Sequence, residues 1–290
     1  MNDYLVKAYA FDGTVRIYAA KTTDLVEEAR CIHDTWPAAT AAFGKVLTGS
    51  IIMGAMYKGD QNLTLRIDGG GPIGGIVVTT NANGEVRGYV SQPHVHISTN
   101  DNKLADAYAV GNDGFIHVTK DLNVRNIFTS SSEIRTGDFA EDLTYYFTMS
   151  EQIPSAVGLG VLVDELNQAK AAGGFILQVM PGAKSETLDK IEANIHAMRP
   201  ISELIAKEYT PEMIINEITK GDHQLVETMR LKYACDCHRE RFASGLVALG
   251  KQELTNLINE KIPVETVCHF CNKKYVFTQD DLQNLLKNSK

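Results

Sequence analysis

The sequence predicts an α+β protein: a mixed α/β N-terminal domain with a central sheet, a helical linker, and a small C-terminal domain organised by cysteines. Three observations carry this. Residues 1–180 alternate strand-like and helical segments, residues 181–230 hold only short amphipathic helices, and four of the five cysteines in 290 residues fall in the last quarter. At 44% hydrophobic residues the chain is long enough for a full core and a second domain.

In chain order, Leu5–Ala10 and Val15–Ala20 read as a hairpin around Asp12-Gly13. Thr22, Thr23 and Asp24 offer N-caps for a helix over Leu25–Trp36, which Pro37 interrupts before a second helix, Ala38–Tyr57. Cys31, beside Val26 and Ala29, is expected to be a buried, inert thiol. Strands follow at Leu63–Asp68, Gly75–Asn81, Val86–Val90 and Phe115–Lys120, then a helix over Asp142–Glu151 and strands at Val157–Asp164 and Phe175–Met180.

Beyond Gly182, Leu188, Ile191, Ile195 and Met198 recur at helical spacing until Pro200. Ile201, Leu204 and Ile205 begin a second short helix; Thr210 caps a third, with Pro211 at its first position and Gly221 at its end. Helices this short are marginal alone, so residues 181–230 are expected to be folded only while docked. The third segment, residues 231–290, shows a knuckle at Cys235–Cys237, a helix through Gly250 and a helix over Gln252–Asn259. A hairpin around Cys268–Cys271 follows, then a helix from Thr278 with Asp281 completing a capping box.

Several patterns resemble chemistry without its context. Gly69, Gly71 and Gly74 satisfy G-x-G-x-x-G, but Ile76–Thr79 is strand-like where a dinucleotide site needs a helix. Gly54 and Gly59 have Walker spacing, but Asp60 stands where the phosphate-binding lysine belongs. His94 and His96 alternate as on one strand face, with no companion carboxylate motif. No nucleophile elbow, H-E-x-x-H or spaced triad is present, so no catalytic residue and no enzyme activity are expected.

The informative cluster is Cys235-x-Cys237 and Cys268-x-x-Cys271. Two tight pairs a few tens of residues apart suit one tetrahedral zinc, each pair supplying two adjacent corners. A segment of this size buries little core and needs such a staple. Both pairs are also close enough in sequence to close on themselves as disulfides, the C-x-C as a strained ring. A structural staple and an oxidant-sensitive switch are thus both open. His238 and His269 flank the ligands as bystanders, and Arg239 and Arg241 either orient thiolates or form a solvated helix face.

Charge limits the partners. The chain carries 28 Lys and Arg against 36 Asp and Glu, a formal −8, and residues 231–290 hold nine basic and seven acidic side chains. Zinc with four thiolates brings that segment to near zero, and no basic patch for nucleic acid emerges. No apolar run is long enough to span a bilayer, and the start, with Asp3 and Lys7, shows no secretory h-region. Thiols kept for metal fit a reducing cytoplasm.

The chain resembles the heat-shock protein 33 family of bacterial redox-regulated chaperones over nearly its whole length. The resemblance rests on Cys235-Asp-Cys-His-Arg-Glu-Arg241, Val267-Cys-His-Phe-Cys271 and Tyr275-Val-Phe277. In the body it rests on Val118-Thr-Lys-Asp-Leu122, Ser150-Glu-Gln-Ile-Pro-Ser155 and Ala172-Gly-Gly-Phe-Ile-Leu-Gln178. His238 stands where members often carry serine. The resemblance implies an ATP-independent holdase for unfolded client proteins under oxidative and heat stress, inactive when reduced and zinc-bound. It implies activation by disulfides Cys235–Cys237 and Cys268–Cys271, with zinc release, linker unfolding and homodimerisation. The corresponding domains are a chaperone core at 1–180, a metastable linker at 181–230 and a zinc redox switch at 231–290. A zinc-ribbon adaptor for a protein or nucleic-acid partner is the alternative, and the charge distribution disfavours its nucleic-acid form.

Overall fold

Asp12 and Gly13 both take positive φ (55° and 80°), and this turn joins the first two strands as expected. The structure, a computed structural model, describes residues 3–97, 105–123 and 126–288; the extreme ends of the outer expected domains lie outside them. The elements run β1 (Tyr4–Ala10), β2 (Val15–Lys21), α1 (Thr23–His33), α2 (Pro37–Gly54), β3 (Asn62–Asp68), β4 (Ile76–Asn81), β5 (Glu85–Val90), α3 (Ala105–Val110), β6 (Phe115–Asp121) and β7 (Phe128–Glu133). Then come α4 (Phe139–Tyr146), a π-helical turn (Phe147–Glu151), β8 (Ser155–Val163), β9 (Ala169–Val179), α5 (Ser185–Ala197), α6 (Ile201–Ala206), α7 (Pro211–Thr219), β10 (His223–Arg230) and β11 (Lys232–Tyr233). The last elements are α8 (Arg239–Ala248), α9 (Lys251–Asn259), β12 (Val264–Val267), β13 (Lys274–Phe277) and α10 (Gln279–Asn288). The chain divides into two compact units, Met1–Ala234 and Cys235–Lys290.

The first unit holds two sheets rather than one, ordered β10-β1-β2-β9-β8 and β11-β5-β4-β3-β6-β7. Between them lies α2, whose sequence is apolar or small on nearly every side, as a helix buried all round must be. Phe43, Leu47, Ile51 and Ile52 of α2 share one core with Leu5 and Ile176 of the first sheet and Leu65 and Val78 of the second. The one charge in α2, Lys45, is neutralised by Asp106 and Asp138, each 2.5 Å from its Nζ. The glycine-rich loop is a backbone crossing, not a nucleotide cradle: a Cβ on Gly71 would meet Ala109 O at 2.4 Å, and one on Gly69 would meet Gly111 O at 2.5 Å.

The other face of the first sheet carries a second core. Val6, Ala8, Val15, Ile17, Ala19, Phe175 and Leu177 pack under Ile191 of α5, Ile201, Leu204 and Ile205 of α6, and Ile214, Ile215 and Ile218 of α7. Each such valine, leucine, isoleucine or phenylalanine contributes about 2 kcal/mol on burial, offset in part by the entropy of ordering short helices. Two glycines let α6 approach: a Cβ on Gly160 would meet Ser202 N at 2.5 Å, and one on Gly173 would meet Ile205 Cδ1 at 2.3 Å. Thr210 caps α7 by accepting from Met213 N–H, with Pro211 inside the first turn, as the sequence indicates.

Some local expectations fail for identifiable reasons. Residues 223–230, expected among helices, form β10 and pair antiparallel with the whole of β1; their exposed outer side gives no core-facing pattern to read. The helix expected through Trp36 stops at His33, where Asp34 adopts φ 51°. Cys31 is exposed, because α1 turns Leu25, Val26, Ala29 and His33 inward and position 31 points away. His94 and His96 lie in irregular chain rather than on a strand, and His94 pairs with Asp34 at 2.9 Å.

Candidate metal centre

Each cysteine pair is delivered by a different local device. Cys235 and Cys237 sit in irregular chain between β11 and α8. Cys268 and Cys271 flank the turn between β12 and β13, which is closed by Asn272 N–H to Cys268 O (2.8 Å) and Cys268 N–H to Lys273 O (3.0 Å). Asn272 supplies the left-handed residue, φ 56°, that lets the chain reverse. Thr278 and Asp281 then form the expected capping box for α10: Thr278 N–H donates to Asp281 Oδ2 (2.8 Å), and Asp281 N–H donates to Thr278 Oγ1 (3.3 Å).

These devices bring all four sulfurs within 4.8 Å of one another. Close approaches run between the pairs, Cys235 Sγ to Cys268 Sγ at 3.7 Å and Cys237 Sγ to Cys271 Sγ at 3.3 Å, and all four thiols are free. Zinc–thiolate bonds of about 2.3 Å in a tetrahedron place sulfurs a little under 4 Å apart, so the donor set fits one zinc ion. Four thiolates fill its shell and leave no position for a substrate, which suits a structural site. Cys268 is buried and the other three are half-buried.

Tyr275 is the neighbour that residue patterning did not assign to the centre. Its hydroxyl donates to Cys237 O (2.9 Å) and lies 3.2 Å from Cys237 Sγ. Its ring stacks on Phe242 with centroids 4.8 Å apart. Burial disfavours the Cys237 thiolate, but the Tyr275 hydroxyl and the neighbouring thiols outweigh it and bring the group down to about 7. Burial pushes the Cys235 and Cys271 thiols up. The β13 alternation, which puts Tyr275 and Phe277 on one inward face, is the signal that could have found Tyr275.

The flanking basic residues have other work. His238 is the N-cap of α8, its Nδ1 accepting from Arg241 N–H at 3.3 Å, and it lies outside the sulfur cluster. A serine in that place would cap the helix in the same way. Arg239 donates to Val276 O (2.8 Å), pairs with Asp281 (2.7 Å) and lies 4.2 Å above the Phe277 ring, tying α8 to the hairpin. Arg241 faces Asp236 at 3.8 Å. Around them the second unit has a small core: Leu246, Leu254, Tyr275, Phe277 and Leu282.

The fold and site define a class: an α+β body with helices laid on its sheet, followed by a small unit with a closed four-cysteine centre. The Hsp33 protein family model matches residues 3–278, and the chain belongs to that family. It is 51% identical over 284 residues to a 33 kDa chaperonin of Bacillus subtilis (strain 168), covering 98% of each chain. It is 50% identical over 289 residues to one from Staphylococcus aureus (strain Newman), covering 99% of each. The crystal structure of a 33 kDa chaperonin from Thermotoga maritima superposes with a TM-score of 0.92 at 37% identity, over 99% of this chain and 98% of that one. Two body motifs meet in the fold: Lys120 pairs with Glu151, which also accepts from Tyr146.

Proposed function

We infer that this member of a chaperone family is a redox-regulated, ATP-independent holdase whose reduced, zinc-bound form is inactive. One observation carries the reading. The apolar stripes of α5, α6 and α7 are buried on a sheet face, and the same chain runs through β10 and β11 directly into Cys235.

Zinc, when bound by Cys235, Cys237, Cys268 and Cys271, holds four thiolates and supplies on the order of 10–16 kcal/mol of apparent folding free energy to a unit with few buried side chains. Oxidation removes those donors. Cys235 with Cys237, and Cys268 with Cys271, each form one S–S bond; per pair, hydrogen peroxide accepts the two electrons the thiolates give up, takes two protons from solvent and leaves as two waters. The small unit then loses its staple and α5–α7 lose their tether. The uncovered stripes (Ile191, Ile201, Leu204, Ile205) and the sheet face (Val6, Ile17, Leu177) become available to unfolding clients. On this reading residues 1–180 are the chaperone core, 181–230 the metastable linker and 231–290 the switch. The active form is a homodimer, and the protein acts in the cytoplasm during stress. Among the described residues no helix is long and apolar enough to cross a membrane.

The test is client aggregation by light scattering, with zinc-loaded reduced protein and with peroxide-treated protein at raised temperature, zinc release being followed with a chromogenic chelator. Suppression that rises as zinc departs is expected. Equal suppression before and after zinc loss would reduce the centre to a structural staple and favour the adaptor reading.

A further inference from the structure

The last residues before Cys235 occupy the outer edge of the second sheet. Lys232 and Tyr233 form β11, parallel to β5 opposite Glu85 and Val86. Lys232 N–H donates to Gly84 O (3.0 Å) and Ala234 N–H donates to Val86 O (2.8 Å). One step further along β5 the strand has ended, and the Tyr233 hydroxyl takes its place: it donates to Gly88 O (2.8 Å) and accepts from Gly88 N–H (3.2 Å). His33 Nε2 lies 3.1 Å from the same oxygen. Gly84, Val86 and Gly88 thus present backbone groups outward, and one short segment satisfies all three.

We propose that this β5 edge is a docking site for an extended segment of a non-native polypeptide, and that residues 231–234 are its resident occupant in the reduced protein. The occupant shows what the edge accepts. Leu231 and Tyr233 are buried (2% and 7% exposed) in the core that contains Phe43, while Lys232 between them is exposed and pairs with Glu85 at 2.8 Å. The edge therefore takes a backbone in strand conformation with apolar or aromatic residues at alternate positions and a basic residue toward Glu85. Alternating apolar residues are abundant in unfolded chains, and backbone pairing at an open edge is tolerant of sequence. The inference rests on the redox reading above, since one residue, Ala234, separates Tyr233 from the first cysteine and loss of the centre frees the segment at that end. It adds a second docking surface, on the opposite sheet from the one α5–α7 cover.

The experiment uses the full chain. Amide exchange is followed over residues 84–90 in reduced and peroxide-oxidised protein, then with reduced, carboxymethylated lactalbumin, a permanently unfolded polypeptide. In parallel a photo-crosslinking residue replaces Arg87 on β5 or, as a control, Arg66 on the interior strand β3. The expected result is exchange about tenfold faster on oxidation, renewed protection with lactalbumin, and crosslinks from position 87 well above those from 66. A synthetic peptide of residues 229–234 should suppress those crosslinks and its scrambled version should not. Tyr233→Phe, which strands the Gly88 backbone groups, should speed exchange at Gly88 already in the reduced protein. Oxidised protein that suppresses aggregation while the 84–88 amides stay protected and position 87 crosslinks no more than 66 overturns the edge site and leaves the redox reading standing. Oxidised protein that neither suppresses aggregation nor opens the edge overturns both.

Discussion

The two compact units solve the problem of stability differently. Met1–Ala234 wraps two sheets around α2 and buries Phe43, Leu47, Ile51, Ile52, Leu63 and Leu65 almost completely. Cys235–Lys290 has short helices, one two-stranded hairpin and, among the described residues, a core of five buried side chains apart from the cluster of four thiols. The first is held by area removed from water, a quantity oxidants do not change; on the reading proposed above, the second leans on ligand chemistry that oxidants attack. The helices α5–α7 belong to the first unit by packing, yet they lie on its outer sheet face with exposed residues between the buried ones. A protein built this way can lose one unit and keep the other.

The comparison breaks most plainly if metal removal affects both units alike. Chelation of the reduced protein is expected to abolish protection from hydrogen exchange across residues 235–288 while β2, β3, β4 and β9 stay protected. Loss of protection across both units together would mean that the small unit supports the body. The next effect concerns α6. In Gly160→Ala the new Cβ would lie 2.5 Å from Ser202 N and 3.2 Å from Ile201 C, so α6 must move while the cysteines are untouched. Such overpacking costs about 1–3 kcal/mol, enough to raise the undocked population roughly 5- to 150-fold. Partial aggregation suppression by the reduced variant, with full zinc content, is the expected outcome. A variant as silent as the parent would show that undocking α6 does not expose a client surface.

The sequence displayed the C-terminal unit better than the body that dwarfs it. Cysteine spacing, the Thr278–Asp281 box and the Thr210-Pro211 start are local chemistry, and each stands where the spacing put it. Strand partners are long-range. Nothing near His223–Arg230 announces that it pairs with β1, and nothing in β3–β7 says that they form a separate sheet on the far side of α2. Cys31 was misplaced because apolar neighbours in sequence are not neighbours on a helix; the inward spacing runs through Ala29 to His33. The role of Tyr275 needed the fold, since it acts on Cys237 across 38 residues.

A pH test separates the units again. Asp3 of the first unit is buried, with Oδ2 accepting from Leu25 N–H (2.6 Å) and Oδ1 without a partner. Burial raises its carboxyl to about 6, against the opposing hydrogen bonds from Leu25 and Asp24. The folded state therefore holds this proton more tightly than the unfolded chain. The stability it contributes is present below the ordinary carboxylate range and is lost as pH rises through 6, on the order of 3 kcal/mol at most. Thermal melts of the first unit's transition should show Asp3→Asn flattening the fall between pH 4 and pH 7. An unchanged pH slope would assign that fall to other groups.

The smallest expected effect asks whether the second unit's core or its cysteines dominate. Tyr275 serves both, its ring stacked on Phe242 and its hydroxyl on Cys237. Tyr275→Phe keeps the ring and removes the hydroxyl's contacts with the Cys237 carbonyl and Sγ, so zinc affinity should fall about tenfold, at the lower end of the range for a group supporting a metal ligand. Tyr275→Leu removes the stacking as well. If both variants weaken zinc equally in competition with a chelator, ligand orientation holds the unit together and the aromatic packing is secondary. If Tyr275→Phe binds like the parent and Tyr275→Leu is much weaker, the small core positions the cysteines, and the contrast between a packed unit and a stapled one narrows. The first outcome is expected, because the hydroxyl's contacts with the Cys237 carbonyl and Sγ are what the leucine and phenylalanine variants lose in common.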